Sequence, residues 1–425
     1  MRWLALPVAL VILAGLAYGL WPRGPMPASG GFDASALAAA LAELSSEPGP
    51  AAVAASAPVS FPADHGAHPE ARAELWELSA VLQDTGKRPV AVRLTVARLG
   101  LSDRAEPRAS AMAADALFAG ELVVTAGGEM KAGALREQRV SRAALGLAGA
   151  GADQAGIERV WIEQWTLSRE AGGSLVLRAA AGEVELTLSF SPLKPPLVLD
   201  QQAFASPTSE DGAVSLRLYS QSRLAVSGSL RADGVEQPLQ GLGWLDHGWG
   251  DLSEALSGGR GQLVANRFQL QLDDGSELAC LHLRRRGGGG TPIPSCVLIG
   301  VDGEQVVLQR RDLTLAPTDA EWVAVGGASY PLGWRLMIPA RELELEIKPL
   351  FDGKASGAAS TALMQGDQTW RGAVEVKGRR GADALDGHGR MDLNGYAEGG
   401  DENAKALDFA DGRDAALFRV AADVC

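Results

Sequence analysis

Short segments in which apolar and polar side chains alternate recur along most of this sequence. The clearest pair covers residues 73–82 and 90–99, and in the second segment Val90 and Val92 share one face. Successive side chains of a β-strand point to opposite faces, so this alternation predicts two strands. The Asp-Thr-Gly turn that ends at Gly86 lies between them, and the pair is therefore predicted to form a β-hairpin.

The same pattern predicts strands through the rest of the chain and few helices. The further predicted strands are residues 122–124, 158–167, 175–177, 184–190, 214–219, 224–230, 268–272, 278–283, 306–315, 334–338, 343–347, 372–377 and 390–393. Helical spacing is found mainly at residues 105–118 and 142–147. The 52 glycines suit the many turns that short strands need. The fold class is therefore predicted to be mainly β.

Two segments recur in the same order, which indicates an internal duplication. Residues 184–188 (VELTL) resemble residues 343–347 (LELEI), and residues 241–246 (GLGWLD) resemble residues 387–392 (GHGRMD). The second copy continues with Leu-Asn-Gly-Tyr where the first continues with His-Gly-Trp. Two similar β-units are therefore predicted, and polar chemistry is expected in the first of them.

The first residues of the chain have the pattern of an export signal. Residues 3–21 are uncharged, and a run of about 18 or more apolar residues can cross a bilayer. A cleaved signal peptide, whose apolar core is usually shorter, is the alternative. Either way the body is expected outside the cytoplasm, on the periplasmic side of the inner membrane or secreted. The predicted segments are a transmembrane anchor or signal (1–23), a flexible linker (24–56), a first β-unit (57–255), a second β-unit (256–400) and a C-terminal tail (401–425).

Charge and cysteine content narrow the possible partners. The chain has 425 residues and a net charge of −13. This charge argues against nucleic acid as a partner, because phosphates require a concentrated positive surface.

The three cysteines of the chain are too few for a disulfide framework. Cys280 and Cys296 are expected either to pair with each other or to be buried free thiols.

Residues 241–250 (GLGWLDHGWG) concentrate indole, carboxylate and imidazole groups in one predicted strand. Alternation places Trp244 and Asp246 on one face and His247 and Trp249 on the other. One interpretation is a strand with aromatic packing and a hydrogen-bonded aspartate. The other is the wall of a ligand-binding or catalytic cavity.

A second polar cluster lies near the predicted start of the ordered chain. Asp64, His65 and His68 occupy a loop rich in proline and glycine, close in sequence to Glu74 and Trp76. Two histidines near a carboxylate resemble part of a metal site, but they also fit a loop whose imidazoles cap backbone groups. We predict no metal and no cofactor. Three of the five histidines belong to these two clusters, so both clusters are candidate functional sites.

Six motifs occur along the chain in a fixed order: residues 61–68 (FPADHGAH), 74–76 (ELW), 218–220 (LYS), 243–249 (GWLDHGW), 370–374 (WRGAV) and 392–396 (DLNGY). Their order resembles the AttH family, which is related to carotenoid 1,2-hydratase (hydroxyneurosporene synthase), and the resemblance covers about residues 59–397. The sequence departs from the family where Gly248 and Arg371 stand in place of glutamates. It also departs at Glu77, which ends a run that is usually Glu-Trp-Trp-Tyr.

The resemblance implies two tandem lipocalin-like (calycin) β-barrel or sandwich domains around a cavity for an apolar ligand. It also implies hydratase chemistry, in which water adds to an isolated terminal double bond. That reaction requires an acid, aromatic faces for the cation and a base for water. The candidate catalytic residues are Asp64, His65, His68, Glu74, Asp246, His247 and Asp274, and the candidate ligand-binding residues are Trp76, Tyr219, Trp244 and Trp249.

The chain is therefore expected to be an exported protein that binds a hydrophobic small molecule, a lipid or an isoprenoid, with hydratase- or hydrolase-like activity. The alternative from another class is a non-catalytic carrier that serves an ABC-type export permease. A scaffold whose Asp-His clusters are only structural is the third possibility. The decisive question is whether Asp64, His68, Glu74, Asp246 and His247 converge on one cavity.

Overall fold

The structure is a computed structural model. It describes residues 58–101, 114–127, 134–153, 156–198, 216–250, 263–285, 292–318, 321–323, 329–351, 370–394 and 396. The predicted anchor, linker and C-terminal tail lie outside these residues. Within the described part, no helix is both long enough and apolar enough to cross a membrane.

The first sheet contains twelve strands within the described part of the chain. They are β1 (Ala73–Asp84), β2 (Pro89–Gly100), β3 (Ala116–Ala126), β4 (Ala134–Arg142), β5 (Ala148–Ala152), β6 (Glu158–Ile162), β7 (Trp165–Arg169), β8 (Leu175–Ala181), β9 (Val184–Pro192), β10 (Leu197–Val198), β11 (Leu216–Ala232) and β12 (Val235–Gly250). Their order is β4-β3-β2-β1-β12-β11-β9-β8-β7-β6-β5, with β10 paired to β11. A short 3₁₀ helix (Ala63–His65) precedes them. The predicted hairpin is confirmed as β1 and β2.

The second sheet contains nine strands of the described residues. The remaining strands are β13 (Leu263–Leu272), β14 (Glu277–Arg285), β15 (Ile293–Ile299), β16 (Gln305–Leu308), β17 (Thr314–Pro317), β18 (Glu321–Val323), β19 (Ser329–Pro331), β20 (Trp334–Ile338), β21 (Leu343–Pro349), β22 (Trp370–Arg380) and β23 (Asp383–Leu393). The sheet order is β16-β15-β14-β13-β23-β22-β21-β20-β17, and β18 pairs with β19 separately. A 3₁₀ turn (Pro339–Arg341) precedes β21.

The two sheets have the same topology, as the internal repeat predicts. In each, a meander of four strands is followed by a return in which the last strand pairs with the first. Gly241 lies opposite Leu82 in the first sheet, and Gly387 lies opposite Leu272 in the second. A Cβ on Gly241 would lie 2.3 Å from the carbonyl oxygen of Val81, and one on Gly387 would lie 2.5 Å from that of Gln271. The repeated glycines therefore permit the same close strand approach.

The first sheet curls into a nearly closed barrel, and the second is a half-barrel. At the barrel seam, Gly120 of β3 lies against Ile162 and Trp165 near the other end of the sheet. Alternate side chains of each strand point inward; in β9 these include Val184, Leu186, Leu188 and Phe190, all buried. Burying each such side chain stabilises the fold by roughly 1.5–3 kcal/mol.

Some predicted elements are wrong in detail. The predicted helix at 105–118 overlaps β3 from Ala116 onward, and its earlier residues lie largely outside the described part. The predicted helix at 142–147 is the end of β4 and a turn, in which Leu145 has a φ of 55°. Residues 158–167 form two strands around a turn at Glu163 rather than one strand. Sheet pairing outweighed weak helical spacing in these segments.

Apolar and charged side chains together join the two sheets. The apolar part is a cluster of Leu197, Trp244, Ala279, Val297 and Ile299. Ion pairs also cross the junction, from Arg267 to Asp246 at 2.9 Å and from Arg390 to Glu77 at 2.8 Å. The outward face of β12 is therefore covered by the second sheet and not by solvent.

Cys280 and Cys296 are joined by a disulfide bond. They lie directly opposite each other on the neighbouring strands β14 and β15. Of the two states left open by the sequence, pairing is therefore the one found.

Candidate functional site

Strand register brings one end of β1, β11 and β12 together with the loop that precedes β1. Trp76 lies opposite His247, and Glu74 lies opposite Trp249. On the other side of β12, Tyr219 of β11 also lies opposite His247. Because directly opposed residues share a face of the sheet, Trp76, His247 and Tyr219 point to the same side. The two predicted polar clusters therefore meet inside the first barrel.

The carboxylate of Glu74 is the centre of this cluster. Its Oε1 lies 2.9 Å from Nδ1 of His68 and 2.9 Å from Nε2 of His247. The backbone N–H of His68 also donates to both carboxylate oxygens, each at 3.0 Å. Glu74 and His247 have no solvent exposure. A buried carboxylate of this kind requires these donors, since an uncompensated buried charge is strongly destabilising.

Hydrogen bonds continue outward from both histidines. Nδ1 of His247 lies 3.3 Å from the hydroxyl of Tyr219, and the same hydroxyl lies 2.9 Å from Nδ1 of His65. On the other side, Nε2 of His68 lies 3.2 Å from Oδ1 of Asp64. We refer to this connected set as the histidine network: Asp64, His68, Glu74, His247, Tyr219 and His65.

Aromatic rings hold the imidazoles of the histidine network in place. His68 stacks on Trp249 with ring centroids 3.7 Å apart and planes 3° from parallel. His247 stacks on Trp76 at 5.0 Å. Phe61 packs edge-on against Tyr219 at 5.0 Å. These contacts fix which ring nitrogen faces which partner, so the hydrogen-bond pattern is preorganised.

Environment assigns different charges to the three histidines. Burial lowers the pKa of His68, but hydrogen bonds to Glu74 and Asp64 outweigh it, so its pKa is raised overall. Burial lowers the pKa of His247. Burial and the neighbouring Arg169 guanidinium lower the pKa of His65 to about 4. Burial alone would raise the pKa of Glu74, yet the hydrogen bonds from His247 and His68 lower it. These shifts favour the charged form of His68, the ionised form of Glu74 and the neutral forms of His247 and His65.

These charges determine where the protons lie. A neutral His247 that donates from Nε2 to the Glu74 carboxylate has a bare Nδ1, which must accept the Tyr219 hydroxyl proton. The Tyr219 oxygen then accepts a hydrogen bond from Nδ1–H of His65. Since His65 is neutral, its Nε2 carries a lone pair. Within the described part of the chain, no hydrogen bond to this Nε2 is found, so it is available as a base.

A cavity of about 30 Å³ adjoins His65 inside the first barrel. Its wall includes His65, Trp76, Glu158, Arg159, Arg169 and Tyr219. A water molecule requires roughly 10–15 Å³ of such space, so about two waters fit. The cavity therefore has room for a water and a small reacting group, with the bulk of any larger substrate outside it.

The other predicted catalytic residues do not join this cluster. Asp246 faces the second sheet, where it accepts hydrogen bonds from Trp244 Nε1 at 2.9 Å and Gln269 Nε2 at 2.6 Å. Asp274 lies in the β13–β14 turn, where it accepts from the backbone N–H of Ser276 at 2.9 Å. The alternation of β12 predicts opposite faces for Asp246 and His247, and the structure confirms it. A single cavity for both side chains is excluded for that reason.

Arg169 is a site residue that the sequence motifs did not indicate. Alternation along β7 places Arg169 on the same face as Trp165 and Leu167, which are buried inside the barrel. Its guanidinium donates to the carbonyl of Gly173 at 3.0 Å and to Oε1 of Gln221 at 3.2 Å. The sequence did contain one signal for Arg169: a charged residue stands at a position of β7 where alternation predicts a side chain inside the barrel.

His68, Glu74 and His247 could also hold a metal ion, since their donor atoms lie within 4.8 Å of one another. Two imidazoles and a carboxylate are common metal ligands. In the observed geometry, however, both imidazoles donate hydrogen bonds to the carboxylate. An ion would have to replace those hydrogen bonds with coordination bonds. The donor set is compatible with a metal, and the hydrogen-bonded form satisfies it without one.

The second sheet lacks the network at the equivalent positions. When the two sheets are aligned on Gly241 and Gly387, His247 of β12 corresponds to Leu393 of β23. Leu393 lies opposite Trp370, whereas His247 lies opposite Tyr219. Neither Leu393 nor Trp370 can replace the proton-carrying groups. The expectation that polar chemistry belongs to the first copy agrees with this arrangement.

Fold and site together define a mainly β protein with a duplicated sheet topology and a buried histidine–carboxylate network in its first sheet. The AttH-like family model matches residues 52–396. The chain therefore belongs to the AttH-like family. No curated protein sequence matches it.

A solved structure agrees with this assignment at the level of the fold. A structure from Nitrosomonas europaea assigned to AttH is 24% identical, with a TM-score of 0.65, over 81% of this chain and 99% of the other. Kievitone hydratase from Nectria haematococca is 14% identical with a TM-score of 0.49, over 82% and 98% of the two chains. CghA is 14% identical with a TM-score of 0.47, over 83% and 95%.

Two of the departures from the family pattern are in contact with each other. Nη1 of Arg371 lies 3.6 Å from Oε1 of Glu77, at the junction of the two sheets. The third, Gly248, lies in β12 opposite Leu75 and Leu218. None of these three residues belongs to the histidine network.

Proposed function

We propose that this protein is a hydratase-like enzyme that adds water to, or removes it from, a small unsaturated organic molecule in the first barrel. The observation that carries the proposal is the position of His65 at the wall of the cavity, with its Nδ1 held 2.9 Å from the Tyr219 hydroxyl and its Nε2 without a hydrogen bond among the described residues. A neutral imidazole with one fixed tautomer is suited to remove a proton from water. The cavity size suits a bound water beside a reacting group.

The histidine network has a specific role in this proposal. When Nε2 of His65 takes a proton, the ring becomes positively charged. Three proton transfers can then remove this charge. The Nδ1 proton of His65 moves to Tyr219, the Tyr219 proton moves to His247, and the Nε2 proton of His247 moves to Glu74. The positive charge is thus neutralised at the buried carboxylate. The two stacked indoles keep the rings aligned for such transfers. His68 and Asp64 would hold Glu74 and the loop in position.

The proposal is tested by water incorporation with the full-length protein. Unsaturated isoprenoids are incubated in water labelled with heavy oxygen, and the product mass is measured. His65→Asn keeps a donor near the Nδ1 position but has no Nε2, and it should slow labelling by about 10²–10⁴-fold. His388→Asn, an exposed histidine on β23, is the matched control and should not slow it. Equal labelling by the wild type and His65→Asn would refute the proposal.

Carriage of a hydrophobic ligand is the second candidate function. It is supported by a cavity of about 50 Å³ between the sheets, whose wall includes Val92, Leu242, Trp244 and Ala373. Native mass spectrometry of protein purified from its host tests this candidate: a retained lipid or isoprenoid would favour it. Service to an ABC-type export permease, export itself and a membrane tether through residues 1–23 also stay predictions.

We further propose that the two sheets are lipocalin-like domains with the boundaries 57–255 and 256–400. The common strand order of the two sheets supports this division. Limited proteolysis between residues 250 and 263 should release two folded fragments if the division is correct.

A further inference from the structure

The barrel cavity has positive charge beside the base. Arg169 lines the cavity with His65 and Tyr219. Its guanidinium is held by Gly173 and Gln221 at 3.0 and 3.2 Å, and its charge lies close enough to act on the Tyr219 hydroxyl. Arg159 lies on the same wall. A fixed guanidinium stabilises negative charge that develops near it and destabilises positive charge.

The cavity wall is poor in groups that could protonate carbon. Hydration of an isolated double bond begins with transfer of a proton to one alkene carbon, which leaves a carbocation at the other. That step requires a protonated acid and surroundings that tolerate a cation. Of the described residues on this wall, Glu158 is the only one with a carboxyl group, and it lies next to the Arg169 charge. Neutral His65 is a proton acceptor.

We infer that the substrate is an alkene conjugated to a carbonyl group, or the corresponding β-hydroxy carbonyl compound in the dehydration direction. This inference rests on the proposed function and names its substrate class. It departs from the isolated double bond that the family resemblance implies. A conjugated alkene takes up water through negative charge on oxygen, which Arg169 is placed to stabilise.

Each step of this reaction balances. Nε2 of His65 removes a proton from water, and the water oxygen forms a bond to the β-carbon. The electron pair of the double bond shifts to form the enolate, whose oxygen accepts hydrogen bonds from Arg169. The proton on His65 then passes to the α-carbon, the carbonyl re-forms, and the sum is the addition of one water. Dehydration follows the same steps in reverse.

Citral is a suitable probe because it has both kinds of bond in one molecule. One double bond is conjugated to its aldehyde, and the other is isolated. The full-length protein is incubated with citral in heavy-oxygen water, and the labelled carbon is located by fragmentation in the mass spectrometer. We expect label at the β-carbon of the conjugated bond. Arg169→Gln should lower that rate by about 10²–10³-fold, the typical effect of removing one oxyanion donor. Arg169→Lys, which keeps the charge, should lose less.

The outcomes separate this inference from the proposed function. One outcome is that the wild type labels the isolated bond and that this labelling is lost in both His65→Asn and Glu158→Gln. That outcome would overturn the substrate class, while the hydratase proposal would stand. No label at either bond with the wild type would overturn both. Binding of geranic acid, whose carboxylate has charge near the enolate position, gives a readout independent of turnover. Its affinity should fall in Arg169→Gln and should not fall in Glu158→Gln, which removes a negative charge from the same wall; equal losses would contradict the role of Arg169.

Discussion

Replacement of Glu74 by glutamine tests the centre of the histidine network directly. Glu74 is fully buried and accepts hydrogen bonds from two imidazoles and one backbone N–H. Glutamine has nearly the same shape, but it has no charge and presents an N–H₂ donor where the site requires an acceptor. The charged His68 would then be buried without its main partner. Removing one partner of a buried ion pair typically costs about 3–5 kcal/mol, and we expect a loss of that size for Glu74→Gln.

The pH dependence of stability provides a second readout of the same change. The pKa of His68 is raised in the folded protein by Glu74 and Asp64 against the effect of burial. Its contribution to stability is therefore fully present below the unfolded pKa of 6.5 and is lost as pH rises through the folded value. In Glu74→Gln, the folded pKa of His68 should fall, and this alkaline loss of stability should disappear.

Urea unfolding monitored by tryptophan fluorescence measures both effects across a pH series. Glu344→Gln is the matched control, because Glu344 is an exposed partner of Arg379 on the second sheet and should contribute less than about 1 kcal/mol. NMR titration of His68 in the wild type and variant gives the pKa directly. A loss below 1 kcal/mol in Glu74→Gln, with an unchanged His68 pKa, would refute a charged histidine–carboxylate centre.

Further predictions concern the rest of the molecule. Asp246→Asn should leave water incorporation nearly unchanged but destabilise the sheet junction by about 3 kcal/mol, because Arg267 loses the nearer of its two buried carboxylate partners; a large fall in turnover at full stability would contradict this assignment. The rate of water addition should rise with pH through about 4, the pKa of His65, and then level off. A bell-shaped dependence of rate on pH, centred at neutral pH, would indicate another base. Reduction of Cys280–Cys296, which closes a loop with a sequence separation of 16, should destabilise the protein by about 3 kcal/mol in calorimetry. Elemental analysis of purified protein should find no metal at one ion per chain, and a stoichiometric ion lost with His68→Ala would indicate coordination by the network instead.

The sequence pattern was sufficient for the mainly β class, for the first hairpin and for part of the site. Alternation and turn residues predict the β1–β2 hairpin and the mainly β class, because side-chain period and turn geometry are local properties. The short spacing from Asp64 through His68 to Glu74 limits how far apart these side chains can lie. The repeated glycines at 241 and 387 also marked the duplicated topology correctly.

Local pattern could not say what covers each face of a strand. It placed Asp246 and His247 on opposite faces of β12, yet both were expected in one cavity. That error arises because alternation separates two faces without showing which one faces the barrel interior and which one the second sheet. Arg169 was missed for a related reason: its strand pairs with neighbours far from the motifs, and none of the motifs lies near it in sequence.

By itself the sequence determined most of the strands, the first hairpin turn, the repeated segments and the chemical character of the motif residues at the site, since each depends on a few consecutive side chains. The tertiary structure decided the register of β1 against β12 and the closure of the barrel, which bring Glu74, His247 and Arg169 close to one cavity. Contacts between residues far apart in sequence depend on long-range pairing and on which apolar faces pack together. Neither quantity has a local signature, so only the folded chain could show that the network ends at His65.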